Sequence, residues 1–134
     1  MVVKHARTQP KLRTVIIVIG TGFSHGPIGN TGWIINTDSK PVYDQQVIEA
    51  TDMVMAAVAG KKVSKQNKYE KNIQDWLSWF HGNNIKKIDM IDRNTFGCFD
   101  ALIPSGINPN QGAESILCYL LADLAVANPK VILK

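Results

Sequence analysis

The chain has 134 residues, 45% of them hydrophobic and 19% charged, which is enough for one modest core and too apolar for a disordered segment. Fifteen basic residues against eleven acidic give a net charge of +4, but the basic runs 4–13, 61–71 and 86–93 do not interleave with aromatics, so no nucleic-acid platform is expected. No apolar run approaches the roughly 18 residues of a membrane span, and Val15–Ile19 is too short for a signal-peptide core, so neither a membrane partner nor secretion is expected.

Val15–Ile19 is β-branched throughout and ends at Gly20, the pattern of a buried strand. Residues 20–40 form a glycine-rich loop, with Trp33 and Ile34-Ile35 as its apolar anchors. The spacing then predicts a helix from Asp44 to Ala59, with Asp44 as its N-cap and Gly60 as its end. Val47, Ala50, Met53, Val54, Ala57 and Val58 would line its inner face. A second helix follows at Lys68 to Phe80. Tyr69, Ile73, Trp76, Leu77 and Phe80 recur there as one apolar stripe, and the two helices make an antiparallel hairpin. His81 to Pro109 shows no strong period and reads as a long loop of the kind that usually carries function. The last helix is expected to open near Asn110 and run to Ala127, burying Ile116, Leu117, Leu120, Leu121 and Leu124. The pattern is mainly α.

The stretch from Phe99 to Ser115 holds two carboxylates, two asparagines and a glutamine just before that apolar helix. Such a loop suits a polyhydroxylated ligand. Glycoside chemistry needs two carboxyl groups flanking the scissile bond, about 5 Å apart for retention or roughly 6.5–9.5 Å for inversion. Asp44, Glu49, Asp100 and Glu114 are the candidates. Asp44 and Glu49 on one helix start and Glu114 on another would face the same end of a bundle if the two helices run parallel. Each also has a structural explanation, as a cap, a helix-dipole partner or a loop acceptor. Asn108, Asn110, Gln111 and Trp33 could orient a sugar. Trp76 lies on the helical stripe and belongs to the core. Cys98 and Cys118 are too few for a disulfide framework and lack zinc spacing, so a reducing, cytoplasmic setting with no metal or cofactor is expected.

Several ordered motifs run through the chain. Gly29-Asn30-Thr31-Gly32-Trp33 precedes Tyr43-Asp44-Gln45-Gln46-Val47-Ile48-Glu49-Ala50. Trp79-Phe80-His81-Gly82-Asn83-Asn84, Gly97-Cys98-Phe99-Asp100-Ala101-Leu102 and the run from Gly106 to Ser115 follow. Together they resemble the C-terminal part of the six-hairpin glycosidase-like proteins that accompany, or are fused to, bacterial glycosyltransferases, many of them called mannosyltransferases by association. The resemblance covers about residues 21–126; the partial domain it implies spans 21–128, with 1–20 poorly matched and 129–134 as a tail. It implies helical hairpins forming part of an (α/α)6 toroid, whose loops build a carbohydrate funnel at one end. Asp44, Gln45, Glu49, Asp100, Asn108, Asn110, Gln111 and Glu114 fall on the family's motif positions. His25 stands in a rearranged Phe-Ser-His-Gly-Pro-Ile-Gly-Asn where the family reads His-Phe-Ser-Pro-Ile-Gly-Asn. The family's Gln-Gln-Pro is Gln45-Gln46-Val47 here, and its Asp-Gly-Leu is Asp100-Ala101-Leu102.

The expectation is therefore a fragment of a carbohydrate-active protein that hydrolyses or transfers at a glycosidic bond. Glu114, Asp44, Glu49 and Asp100 would be catalytic, and Trp33, Gln45, Asn108, Asn110, Gln111 and His25 would bind the sugar. Three helices cannot close a ring of twelve, so a second copy or a glycosyltransferase chain is the expected partner besides an oligosaccharide. The rival reading is a non-catalytic helical sugar-binding or scaffold module serving a glycosyltransferase.

Overall fold

The computed structural model describes residues 26–31 and 41–132, so the expectations for the Val15–Ile19 strand, Trp33 and His25 lie outside the described residues. In chain order come β1 (Gln45–Gln46), α1 (Val47–Ser64), α2 (Lys68–Trp79), β2 (Ala101–Ile103), β3 (Gly106–Asn108), α3 (Ala113–Ala127) and α4 (Pro129–Ile132). The architecture is mainly α, with one small sheet.

The first helix departs from expectation at both ends. Asp44 takes a left-handed backbone (φ 58°) and Gln45–Gln46 are extended into β1, so Gln46 and not Asp44 occupies the N-cap position. Glu49 reaches back to accept the Gln46 N–H at 3.1 Å, the acidic half of a capping box. Nor does Gly60 stop the helix, which runs on to Ser64. Lys65, at φ 55°, makes the turn and donates its N–H to Lys61 O at 2.9 Å. Glycine at position 60 serves a close approach instead. A Cβ there would meet the Tyr69 ring of α2 at 2.5 Å. The short connection 65–67 folds α2 back onto α1, giving the expected helical hairpin.

The inner face of α1 is as the periodicity predicts, with Val47, Ala50, Val54, Ala57 and Val58 buried and Met53 half-buried. On α2 the stripe is also borne out: Ile73, Trp76 and Phe80 are buried, with Tyr69 and Leu77 packed beside them. Trp79 is off that stripe yet wholly buried. It stands edge-on to Phe80 at 5.3 Å, and Phe80 in turn meets Tyr119 of α3 at 5.3 Å.

Residues 81–109 are not the featureless loop the sequence suggests. Asn84, buried, donates to Trp79 O (2.9 Å) and Ile88 O (2.7 Å) and accepts from the Lys86 and Ile88 N–H groups, pinning a turn onto the end of α2. Isolated bridges join His81 to Asp89 and Ile91 to Cys98. The chain then makes a tight antiparallel hairpin, β2–β3, around Pro104-Ser105 with Gly106 at φ 140°. The central strand β2 pairs on its other edge with β1, Gln45 opposite Leu102 and Gln46 opposite Ala101. Strands of two or three residues are too short for an alternation to be read from sequence. This sheet ties the start of α1 to the polar loop that precedes α3.

The largest correction concerns α3. It begins at Ala113 with Gly112 as its cap, not at Asn110. The residues it buries are Ser115, Cys118, Ala122 and Ala125, while Leu117, Leu120, Leu121 and Leu124 remain 59, 52, 44 and 42% exposed. The small-residue side of α3 packs on α1, and the backbones approach closely enough for the Thr51 hydroxyl to donate to Cys118 O at 3.0 Å. Leucine spacing marks an apolar side of a helix; it does not say which side the neighbour takes. Of that expected face only Ile116 packs against the core, and it is half-buried.

Candidate functional site

The starts of α1 and α3 lie side by side. Between them, with the sheet as a floor, opens a cleft of about 400 Å³ lined by Asp44 and Gln46–Ile48 on one wall and Asn108 and Gly112–Ser115 on the other, with Asp100, Ala101 and Cys118 between. This meets the condition set by the sequence, that the two helix starts share one end of the bundle. Four expected site residues come together here: Asp44, Asp100, Asn108 and Glu114. The lining residues missed are mostly backbone-rich positions at the helix starts, such as Gln46, Gly112 and Ser115. Their only signal in the sequence was adjacency to the capping segments.

Asp100 is the hub of the cleft. Its carboxylate accepts from Ser115 Oγ at 2.5 Å, from the Gly112 N–H at 2.9 Å and from Asn110 Nδ2. The Ser115 bond, ahead of those from Asn110 and Gly112, holds its pKa below the usual aspartate value. Asp100 is thus kept ionised, and its first structural consequence is to lock the polar loop onto the N-terminus of α3. A carboxylate in this state suits charge stabilisation and positioning rather than proton donation.

Glu49 does not line the cleft. Burial, the largest influence, raises its pKa, opposed by the Gln46 N–H and reinforced by the charges of Asp44 and Asp52. Its carboxylate is committed to the α1 cap. Gln45 is buried at 2% exposure and its Oε1 accepts the Trp79 indole N–H at 3.1 Å, so it is a core group and is absent from the cleft lining. Gln111 turns the other way, accepting from Thr95 Oγ1 at 2.8 Å and donating to Asp92 Oδ2 at 3.0 Å. The Asn94 N–H, followed by the Gln111 amide, lowers the Asp92 pKa. Asn110 bonds Asp100, and its own N–H donates to Asn108 Oδ1 at 3.1 Å, a turn bond that sets the approach to α3. Asp44 and Glu114 are left as the cleft carboxylates that no described side chain engages by a hydrogen bond or ion pair.

The electrostatics of the cleft balance two opposing sources. Among the described residues the lining contains three carboxylates and no lysine, arginine or histidine. Two helix N-termini supply about half a positive charge each, which offsets part of that field. Among the described residues no group of three His, Cys, Asp or Glu side chains is placed to hold a metal ion. Cys118 borders the cleft, and burial raises its pKa; burial and then the charge of Asp100 push Cys98 up to about 12. Neither thiol is activated as a nucleophile. No described helix is long and apolar enough to cross a membrane. No protein-family model matches the chain, and no curated protein shows significant similarity to it.

Proposed function

We propose that this cleft binds a carbohydrate and that the chain is part of a carbohydrate-active protein of the (α/α)6 type, acting by glycoside hydrolysis or glycosyl transfer. The observation that supports the reading is the gathering of Asp44, Asp100, Asn108 and Glu114 around one polar opening at the starts of two helices. Glu114 and Asp44 would flank the scissile bond as acid and base, while Asp100, held ionised, would stabilise positive charge developing at the sugar. Asn108 would contact hydroxyl groups. A cytoplasmic location belongs to the same proposal and draws on the two free cysteines, Cys98 and Cys118.

One observation favours the rival, a non-catalytic sugar-binding or scaffold module beside a glycosyltransferase. A glycosidic acid needs a carboxyl kept protonated near neutral pH. Glu49, the carboxyl whose pKa burial raises, is bound in a helix cap outside the cleft. The test is calorimetric titration with a panel of neutral oligosaccharides, followed by product analysis on those that bind. Binding and turnover, with Glu114→Gln abolishing turnover but not binding, support the catalytic reading. Binding without turnover selects the module. Failure of the whole panel to bind overturns the catalytic and the sugar-binding readings and leaves the scaffold role alone.

A further inference from the structure

The outer face of α3 and the far end of the helical hairpin are both apolar and are complementary in charge. Leu117, Leu120, Leu121 and Leu124 form an exposed stripe about 10 Å long, at i, i+3, i+4 and i+7. Asp123 flanks it on one side and Glu114 on the other, and the segment AESILCYLLADLAVA carries no basic residue. At the opposite end of α1 lies a groove of about 410 Å³ with an apolar floor of Val58, Ile73, Val126 and Pro129. Lys61, Lys62, Lys65 and Lys130 rim it, and among the described residues the one acid beside them is Glu70, which pairs with Lys61.

We propose that the leucine face of α3 docks head-to-tail into the lysine-rimmed groove of a second copy of this chain. Charge decides the occupant. Pairing two α3 faces with each other would bring together only acidic flanks, whereas the groove offers an apolar floor inside a basic rim. The contact is also necessarily between molecules, because Val126 on α3 itself helps line the groove and the leucine face of the same rigid helix cannot turn into it. A helix apolar on both sides calls for cover on both, and α1 covers only the side bearing Ser115, Cys118, Ala122 and Ala125. The interface is heterologous, so it builds chains or a ring rather than an isologous pair.

Sedimentation velocity on the 134-residue chain over a concentration series tests this, with two double variants. L120E/L121E removes the face and K65E/K130E reverses the rim; all four positions are exposed, and far-UV circular dichroism checks folding. The wild type is expected to form species larger than a monomer, and each variant alone to remain monomeric. An equimolar mixture is expected to form a dimer, because each variant retains the half that the other lacks. A wild type that stays monomeric throughout overturns the proposal. So does K65E/K130E that still self-associates while L120E/L121E does not, which would mean α3 faces pair with each other. Two folded monomeric variants that fail to combine overturn it as well.

Discussion

Replacing Gln45 by leucine separates a core amide from a sugar ligand. The Gln45 Oε1 accepts the Trp79 indole N–H at 3.1 Å, and both side chains are essentially inaccessible, at 2% and 0% exposure. Gly26 closes over the pair, since a Cβ there would lie 2.8 Å from Trp79 Nε1 and 3.1 Å from Gln45 Oε1. Water therefore cannot replace the lost acceptor. Leaving a buried donor unpaired costs about 1–3 kcal/mol, and the shape change from amide to leucine adds packing strain of order 1 kcal/mol, offset in part by apolar burial. The net expectation is a loss of about 2 kcal/mol, or a fall of roughly 8 °C in melting temperature for a domain of this size. Urea denaturation followed by circular dichroism measures it. A double-mutant cycle with Trp79→Phe isolates the bond, with an expected coupling of about 1 kcal/mol. An unchanged denaturation midpoint combined with lost oligosaccharide binding would refute the reasoning and return Gln45 to the ligand.

Two further outcomes follow from the same geometry. Asp100→Ala should destabilise the chain by about 2 kcal/mol, the sum of three charge-assisted hydrogen bonds discounted for solvent exposure, measured by urea titration at neutral pH. Because the folded-state pKa of Asp100 lies below its unfolded value near 3.9, its contribution is full above that value and is lost as pH falls through the folded pKa. The difference between wild type and variant should therefore shrink on acidification; a difference independent of pH down to acid unfolding would argue against the assignment. Gly60→Ala should destabilise by about 1–2 kcal/mol in thermal melts. The gain in helix propensity, roughly 1 kcal/mol, is outweighed by displacement of the Tyr69 ring, which the added Cβ would otherwise meet at 2.5 Å.

The chain's periodicity determined the existence of all three main helices and the inner faces of the first two, because an apolar stripe at helical spacing has one economical solution when a second stripe follows within a short turn. Residue chemistry likewise pointed to the region before α3, since polar loop residues at a helix start must bond the free N–H groups whatever the fold. Tertiary structure alone decided three things. It chose which side of α3 is buried, because both sides are compatible with a helix and close backbone approach favoured Ala122 and Ala125 over the leucines. It built the β1–β2–β3 sheet, whose β1–β2 pairing joins residues more than fifty positions apart and whose strands are too short to leave a pattern. And it divided the polar residues between cleft and scaffold. Gln45, Gln111, Asn110 and Glu49 carry the same chemistry as Asp44, Asn108 and Glu114. Only their partners in space, an indole, a loop carboxylate, the Asp100 hub and a helix cap, take them out of the cleft.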